Sequence, residues 1–131
     1  LNLMKNSCEA ISNSTGEIIL ETSYRHGMSV SVGGTQQKIH LPLLISIRDN
    51  GVGISSELTS NIFEPFITTK ASGTGLGLAF VAKAVSDHGG VVEVDSFPGN
   101  TVFQITLPVA KSSDNAGSAF TEFEIGLNTK E

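Results

Sequence analysis

Apolar residues at the start of the chain recur at roughly helical spacing: Leu1, Leu3, Met4, Cys8 and Ile11. The polar run Ser12-Asn13-Ser14-Thr15-Gly16 ends that predicted helix. Over residues 17–24 the period changes to two, with Ile18, Leu20, Thr22 and Tyr24 on one side, which predicts a strand. Residues 25–40 are polar, carry Gly27, Gly33 and Gly34, and read as a long hairpin excursion. An apolar strand follows over 43–49. Side chains on a strand alternate between faces, so Leu43, Ile45, Ile47 and Asp49 share one face. Residues 57–63 predict a short helix, stopped by Glu64-Pro65-Phe66 because proline resists helix continuation. Residues 68–72 are small and polar and read as a mobile loop. Gly73-Thr74-Gly75-Leu76-Gly77 then opens a second strong helix, with Leu78, Ala79, Ala82 and Val85 on one stripe. His88-Gly89-Gly90 ends it, with Gly89 as the C-terminal cap. Two strands, 91–97 and 101–109, meet about the turn Pro98-Gly99-Asn100.

Helix, strand, strand, helix, strand, strand is an α+β order. It predicts a two-layer α/β sandwich, its mixed β-sheet covered on one face by helices, rather than a doubly wound parallel sheet. Residues 1–110 are expected to form one domain. Residues 111–131 begin as a linker and then alternate at Phe123, Ile125 and Leu127. They read as a polar tail, either disordered or a short extra strand. At 131 residues the chain can bury a core without disulfide or metal staples.

Charge removes several functional classes. The formal net charge is −5, and the eight Lys and Arg are scattered, which argues against a nucleic-acid surface. No apolar run approaches a membrane span, so no membrane contact is expected. Cys8 is the only cysteine, so it is expected to be a buried thiol in a reducing, cytoplasmic compartment. The chain begins with Leu1, already inside a helical pattern, and is expected to be a piece of a longer protein cut upstream.

Three elements carry candidate chemistry. Asp49 falls where a core residue would sit, and a buried carboxylate is costly unless hydrogen bonds reach it. With Gly51 and Gly53 directly after it, it can be the anionic acceptor of an apolar pocket that recognises a ligand's amino group. A plain Asp-Asn-Gly hairpin turn accounts for the same residues equally well. Asn2 and Asn6 lie four apart, so their amides share a helix face. An amide oxygen suits Mg²⁺, although exposed helix asparagines are the simpler reading of two residues alone. The third element is the glycine-rich opening of the second helix, whose backbone N–H groups can face phosphate. It is neither a Walker loop, lacking Gly-Lys-Ser/Thr, nor a dinucleotide fingerprint, since Leu78 or Phe80 stands where the last glycine belongs.

Taken together and in order, Asn2/Asn6, Asp49/Gly51/Gly53, Phe63-Glu64-Pro65-Phe66 and Gly73/Gly75/Gly77 resemble the N, G1, F and G2 boxes of one family. That family is the ATP-binding catalytic domain of bacterial sensor histidine kinases, in the superfamily shared with gyrase, Hsp90 and MutL. The resemblance covers about residues 1–109 and leans toward the nitrogen-regulation type, NtrB. The residues behind that leaning are Ile62-Phe63-Glu64-Pro65-Phe66-Ile67-Thr68-Thr69-Lys70, Gly73 to Leu78, Asp87-His88-Gly89-Gly90 and Pro98-Gly99-Asn100-Thr101-Val102-Phe103, together with the long polar excursion before the 43–49 strand.

The resemblance implies a Bergerat-type ATP-binding fold, here truncated at its N-terminus, with ATP and Mg²⁺ as cofactors. Asn6 matches the Mg²⁺ ligand and Asn2 the asparagine beside the phosphates. Asp49 matches the acceptor for the adenine amino group, and Gly51 and Gly53 the glycines that let the purine approach. Residues 68–72 match the ATP lid, with Lys70 a phosphate partner. Gly73, Thr74, Gly75, Leu76 and Gly77 match the hinge and phosphate cradle. The implied reaction is phosphoryl transfer to a histidine in an upstream dimerisation domain of a homodimeric protein, then to a response regulator. A PII-type signalling protein is a further implied partner. Two departures stand out. Glu9 occupies a position where many members carry Lys or Arg, and Asn2 stands where gyrase-like ATPases have a glutamate base. None of His26, His40 and His88 has the context of a phosphoacceptor, so the fragment is expected not to phosphorylate itself. A non-catalytic nucleotide- or partner-binding module and a gyrase- or MutL-type ATPase are the alternatives.

Overall fold

The period-two stretches become strands, and the two strongest helical stripes lie across them. The computed structural model describes residues 1–31, 34 and 36–110, so the expected tail lies outside the described residues. In chain order the elements are α1 (Asn2–Ala10), β1 (Ile18–Tyr24), β2 (Ser29–Ser31), β3 (Lys38–His40), β4 (Leu43–Asp49), α2 (Ser56–Thr59), α3 (Gly77–Asp87), β5 (Val91–Phe97) and β6 (Asn100–Leu107). The polar excursion is a separate two-stranded hairpin of β2 and β3.

The main sheet has the order β1-β4-β6-β5, and each neighbouring pair is antiparallel. The α+β layering is as expected, but the pairings among the described strands are antiparallel where the element order suggested a mixed sheet. The cause is topological. The crossover from β4 through α3 does deliver β5 parallel to β4, as a βαβ connection must. The β5–β6 hairpin then inserts β6 between them, a split βαβ arrangement.

The register sets the two faces. Ile47 pairs with Phe103, and Phe103 with Val94, so these side chains share a face with Ile105 and Ile18. Leu3 of α1 meets Ile47 and Phe103 in the buried core, with Met4, Leu78, Val81 and Phe63 packed around them. Each fully buried side chain of this kind contributes about 1.5–3 kcal/mol. Phe63 and Phe103 meet edge-to-face with centroids 6.3 Å apart. On the opposite face β5 and β6 present Glu93, Asp95 and Gln104. α3 ends in a Schellman arrangement: the Gly89 N–H donates to Ser86 O and the Gly90 N–H to Val85 O, both at 2.9 Å.

Three expectations are corrected. Cys8 is exposed, and Ser7, 1% exposed, takes the inward place. At about 100° per residue, Ser7 lies roughly 40° around the axis from Leu3 and Cys8 roughly 140°. The helix expected over 57–63 is only the single turn α2, followed by irregular turns. Its Thr59 and Ser60 hydroxyls donate to Ser56 O, the local competition that weakens short Ser/Thr-rich helices. β6 starts at Asn100, so the tight turn is Pro98-Gly99 alone.

Candidate functional site

A polar row crosses one end of the helix-covered face. Asp49 pairs with Thr101 and Thr101 with Ser96, so all three project to the same side. Asp49 is 2% exposed and Thr101 3%. The Thr101 and Ser96 hydroxyls are 2.7 Å apart, and Ser96 Oγ also accepts from the Ile54 N–H at 2.9 Å. Asp49 Oδ1 accepts from the Gly51 N–H at 3.0 Å, the one hydrogen bond its carboxylate makes among the described residues. A buried carboxylate accommodates several donors, so this acceptor has capacity left for a ligand.

The turn after β4 is not a hairpin. It leads away to α2, and side-chain bonds hold it. Asn50 Oδ1 accepts from the Glu17 N–H at 2.8 Å, and Asn50 Nδ2 donates to Thr15 O at 3.0 Å, tying the turn to the approach of β1. The Gly51 O accepts from the Gly99 N–H at 2.9 Å. Gly53 has φ +82°, and a Cβ there would lie 2.8 Å from the Phe97 carbonyl carbon.

Above Asp49 opens a cleft of about 690 Å³. Its floor is Asp49, Thr101 and Phe103; Ile54, Leu58, Ile62 and Ile67 supply apolar wall. α1 contributes Asn2, Asn6 and Glu9, and the loop before α3 contributes Thr68, Lys70 and Gly73 to Gly75. Of the residues expected at a site, Asn2, Asn6, Asp49, Gly53, Lys70, Gly73, Thr74, Gly75 and Gly77 all line this one space. Gly51 and Leu76 do not. Gly51 is pressed against α1, where an added Cβ would lie 2.6 Å from Ala10 O. Its smallness serves the seating of the helix on the turn, not a ligand's approach. Leu76 precedes α3, and its carbonyl accepts from the Phe80 N–H at 2.9 Å.

The loop over 67–75 is pinched at its base, where the Phe66 N–H donates to Gly75 O at 2.8 Å. Phe66 itself has φ +70° and is strongly exposed. Asn2 Nδ2 donates to Gly77 O at 3.2 Å, which ties α1 to the start of α3. From the loop, the Lys70 ammonium reaches across to α1, donating to Asn6 Oδ1 at 3.1 Å and to the Glu9 carboxylate. That hydrogen bond, with attraction to Lys70 and Lys5, holds the Glu9 pKa below the ordinary carboxylate value. His26, His40 and His88 are exposed and lie outside the cleft. No cluster of three His, Cys, Asp or Glu that could hold a metal occurs among the described residues.

The apolar wall and floor residues Ile54, Leu58, Ile62 and Phe103 are not evident as a site in the sequence. Neither are Ser96 and Thr101. The one usable signal was period: Thr101 stands two before Phe103, and so on the core face of β6.

Comparison with known proteins accords with this geometry. Residues 1–111 match the family described as histidine kinase-, DNA gyrase B- and HSP90-like ATPase. The sensory histidine kinase/phosphatase NtrB of Azospirillum brasilense is 56% identical over 117 residues, covering 89% of this chain and 29% of that protein. A mycobacterial sensor histidine kinase, MprB, superposes with a TM-score of 0.64 at 26% identity, covering 82% of this chain and 66% of that one. Full-length ShkA, solved in complex with AMPPNP, superposes with a TM-score of 0.63 at 28% identity, covering 82% of this chain and 20% of that one. The chain spans about a third of the length of the curated relatives it matches. With residues 1–111 matched by the family model, and a relative 56% identical over most of its length, the chain belongs to the histidine kinase-, DNA gyrase B- and HSP90-like ATPases.

Proposed function

We propose that this chain is the ATP-binding catalytic domain of a two-component sensor histidine kinase acting in nitrogen regulation. The observation that carries it is Asp49: a buried carboxylate with spare acceptor capacity at the floor of an apolar-walled cleft. That chemistry selects a flat, largely apolar ligand presenting an amino group, as adenine does. The AMPPNP held by ShkA and the NtrB names of the relatives support the same reading.

Asp49 accepts from the adenine amino group, with Thr101 beside it. Ile54, Leu58 and Ile62 exclude water from the ring. Thr74, Gly75 and Gly77 line the cleft at the start of α3, where a helix N-terminus would favour the phosphates. The donor set also fits Mg²⁺: Asn6 Oδ1 and Glu9 already accept from a cation, the Lys70 ammonium. Asn6 would hold the metal, which would neutralise phosphate charge. Phosphoryl transfer needs mostly positioning and charge neutralisation from the protein. The nucleophile is a histidine of an upstream dimerisation domain, in a homodimeric and cytoplasmic protein. A response regulator then takes the phosphoryl group, and a PII-type protein is a regulatory partner.

Mixing the chain with a separately expressed acceptor domain and γ-labelled ATP is expected to transfer label to a histidine. Nucleotide binding without transfer would favour the second reading, a non-catalytic regulatory module. Glu9 is the residue that favours that alternative, since it puts a negative charge beside the phosphate end of the cleft. A gyrase- or MutL-type ATPase is disfavoured because the Asn2 amide cannot accept a proton from water. Asn6→Ala is expected to reduce the affinity gained on adding Mg²⁺ by about tenfold, with little change in Mg²⁺-free binding. Titrations with and without EDTA measure it, and an unchanged gain removes Asn6 from the metal site.

A further inference from the structure

The Lys70 side chain is 46% exposed, yet its ammonium is held by partners on another element. It leaves the loop, crosses the cleft mouth and settles on two oxygens of α1, Asn6 Oδ1 at 3.1 Å and a Glu9 carboxylate oxygen. Asn6 and Glu9 are three residues apart, so one helix face offers both oxygens to one cation. Lys5, four residues before Glu9, is the other cation nearby, 3.9 Å from the remaining Glu9 oxygen. The backbone of the loop cooperates: the Lys70 N–H donates to Thr68 Oγ1 and Lys70 O accepts from the Gly73 N–H, both at 3.1 Å.

We propose that Asn6 and Glu9 form a cation seat that Lys70 fills in the nucleotide-free protein and that the nucleotide's divalent ion takes over on binding. Glu9 is then a positioning residue with two states. Without nucleotide it anchors the loop across the cleft through Lys70. With nucleotide it adds negative charge beside the Asn6-bound ion, while the displaced ammonium becomes free for the phosphates. One cation replaces another, so neither state leaves the Glu9 carboxylate unpaired. This deepens the nucleotide reading and rests on it.

The test uses the 131-residue chain and its Glu9→Gln and Glu9→Asp variants. Position 9 is on the outside of α1, so neither substitution disturbs the core. In nucleotide-free protein, amide exchange over residues 68–73 is expected to rise about two- to fivefold in Glu9→Gln, the range of a partly exposed ion pair. Added salt should produce the same rise in the parent and little in the variant. Equal exchange overturns the seat. For ADP, the ratio of affinities with and without Mg²⁺ is expected to fall about tenfold in Glu9→Gln and to recover in Glu9→Asp. A ratio that stays constant, with both affinities shifted equally, overturns the exchange of cations. A parent chain that binds no nucleotide but shows the exchange difference sinks the nucleotide reading, and the divalent half of the proposal with it. The lysine seat would stand.

Discussion

Asp49→Asn is expected to weaken ATP binding about ten- to a hundredfold at constant Mg²⁺, while leaving the fold intact. A hydrogen bond involving a charged group is worth about 1.5–3 kcal/mol net, which converts to that range. The asparagine oxygen can still accept from the Gly51 N–H, as Asp49 Oδ1 does at 3.0 Å, so the turn keeps its local bond. The amide nitrogen then takes the place of the second carboxylate oxygen, and a donor confronts a donor. Relaxing by an amide flip satisfies the ligand but leaves the Gly51 N–H facing an NH₂ group. Parallel titration calorimetry and thermal melts on the two proteins check the separation. Equal affinities would remove Asp49 from the site, and a collapsed melting transition would make it a folding residue instead.

Gly53→Ala is expected to cost about 3 kcal/mol of stability and to lower the melting midpoint by about 10 °C or more. Two effects add. A side chain at φ +82° costs about 1 kcal/mol by itself. The added Cβ would also stand 2.8–2.9 Å from backbone atoms of Phe97 and Pro98, which have no rotamer to escape into. Relief requires the β5–β6 turn to move, and that turn is tied to the Asp49 turn through the Gly99 N–H and Gly51 O. Ser96 and Thr101 flank the same turn, so nucleotide affinity is expected to fall with stability. Gly99→Ala is the internal control. Gly99 has φ +86° but nothing within 4 Å of its Cβ position, so only the strain of about 1 kcal/mol applies. Urea midpoints of the two variants measure the difference. Equal losses would show that the approach of the two turns imposes no constraint.

How much of this was legible in the sequence depends on how local the signal is. β4 and the inward placement of Asp49 follow from strict alternation over seven residues, a purely local pattern. α3 and its end were equally visible, since the apolar stripe and the Gly89-Gly90 cap lie within one short segment. The β2–β3 excursion showed itself through polarity and glycines. Features decided by partners distant in sequence were hidden. Gly51 and Gly53 look equivalent in Asp-Asn-Gly-Val-Gly. Only the arrival of Ala10 and of Phe97 separates a glycine that seats α1 from one that lines the cleft. The insertion of β6 between β4 and β5 is likewise invisible to periodicity. Cys8 was misplaced because its hydrophobicity outweighed its angular position, and the inward Ser7 carried no apolar signal. Glu9 stood out as a departure from the family pattern. Its contact with Lys70, sixty-one residues away, needed the folded chain.

The central claim, that a buried carboxylate grips an adenine amino group, is tested most directly by calorimetric titration of the chain with ATP and with GTP under identical Mg²⁺. Guanine presents a carbonyl oxygen where adenine presents its amino group, so GTP sets an acceptor against Asp49. ATP is expected to bind at least about tenfold more tightly than GTP. Equal affinity for the two nucleotides would contradict the account.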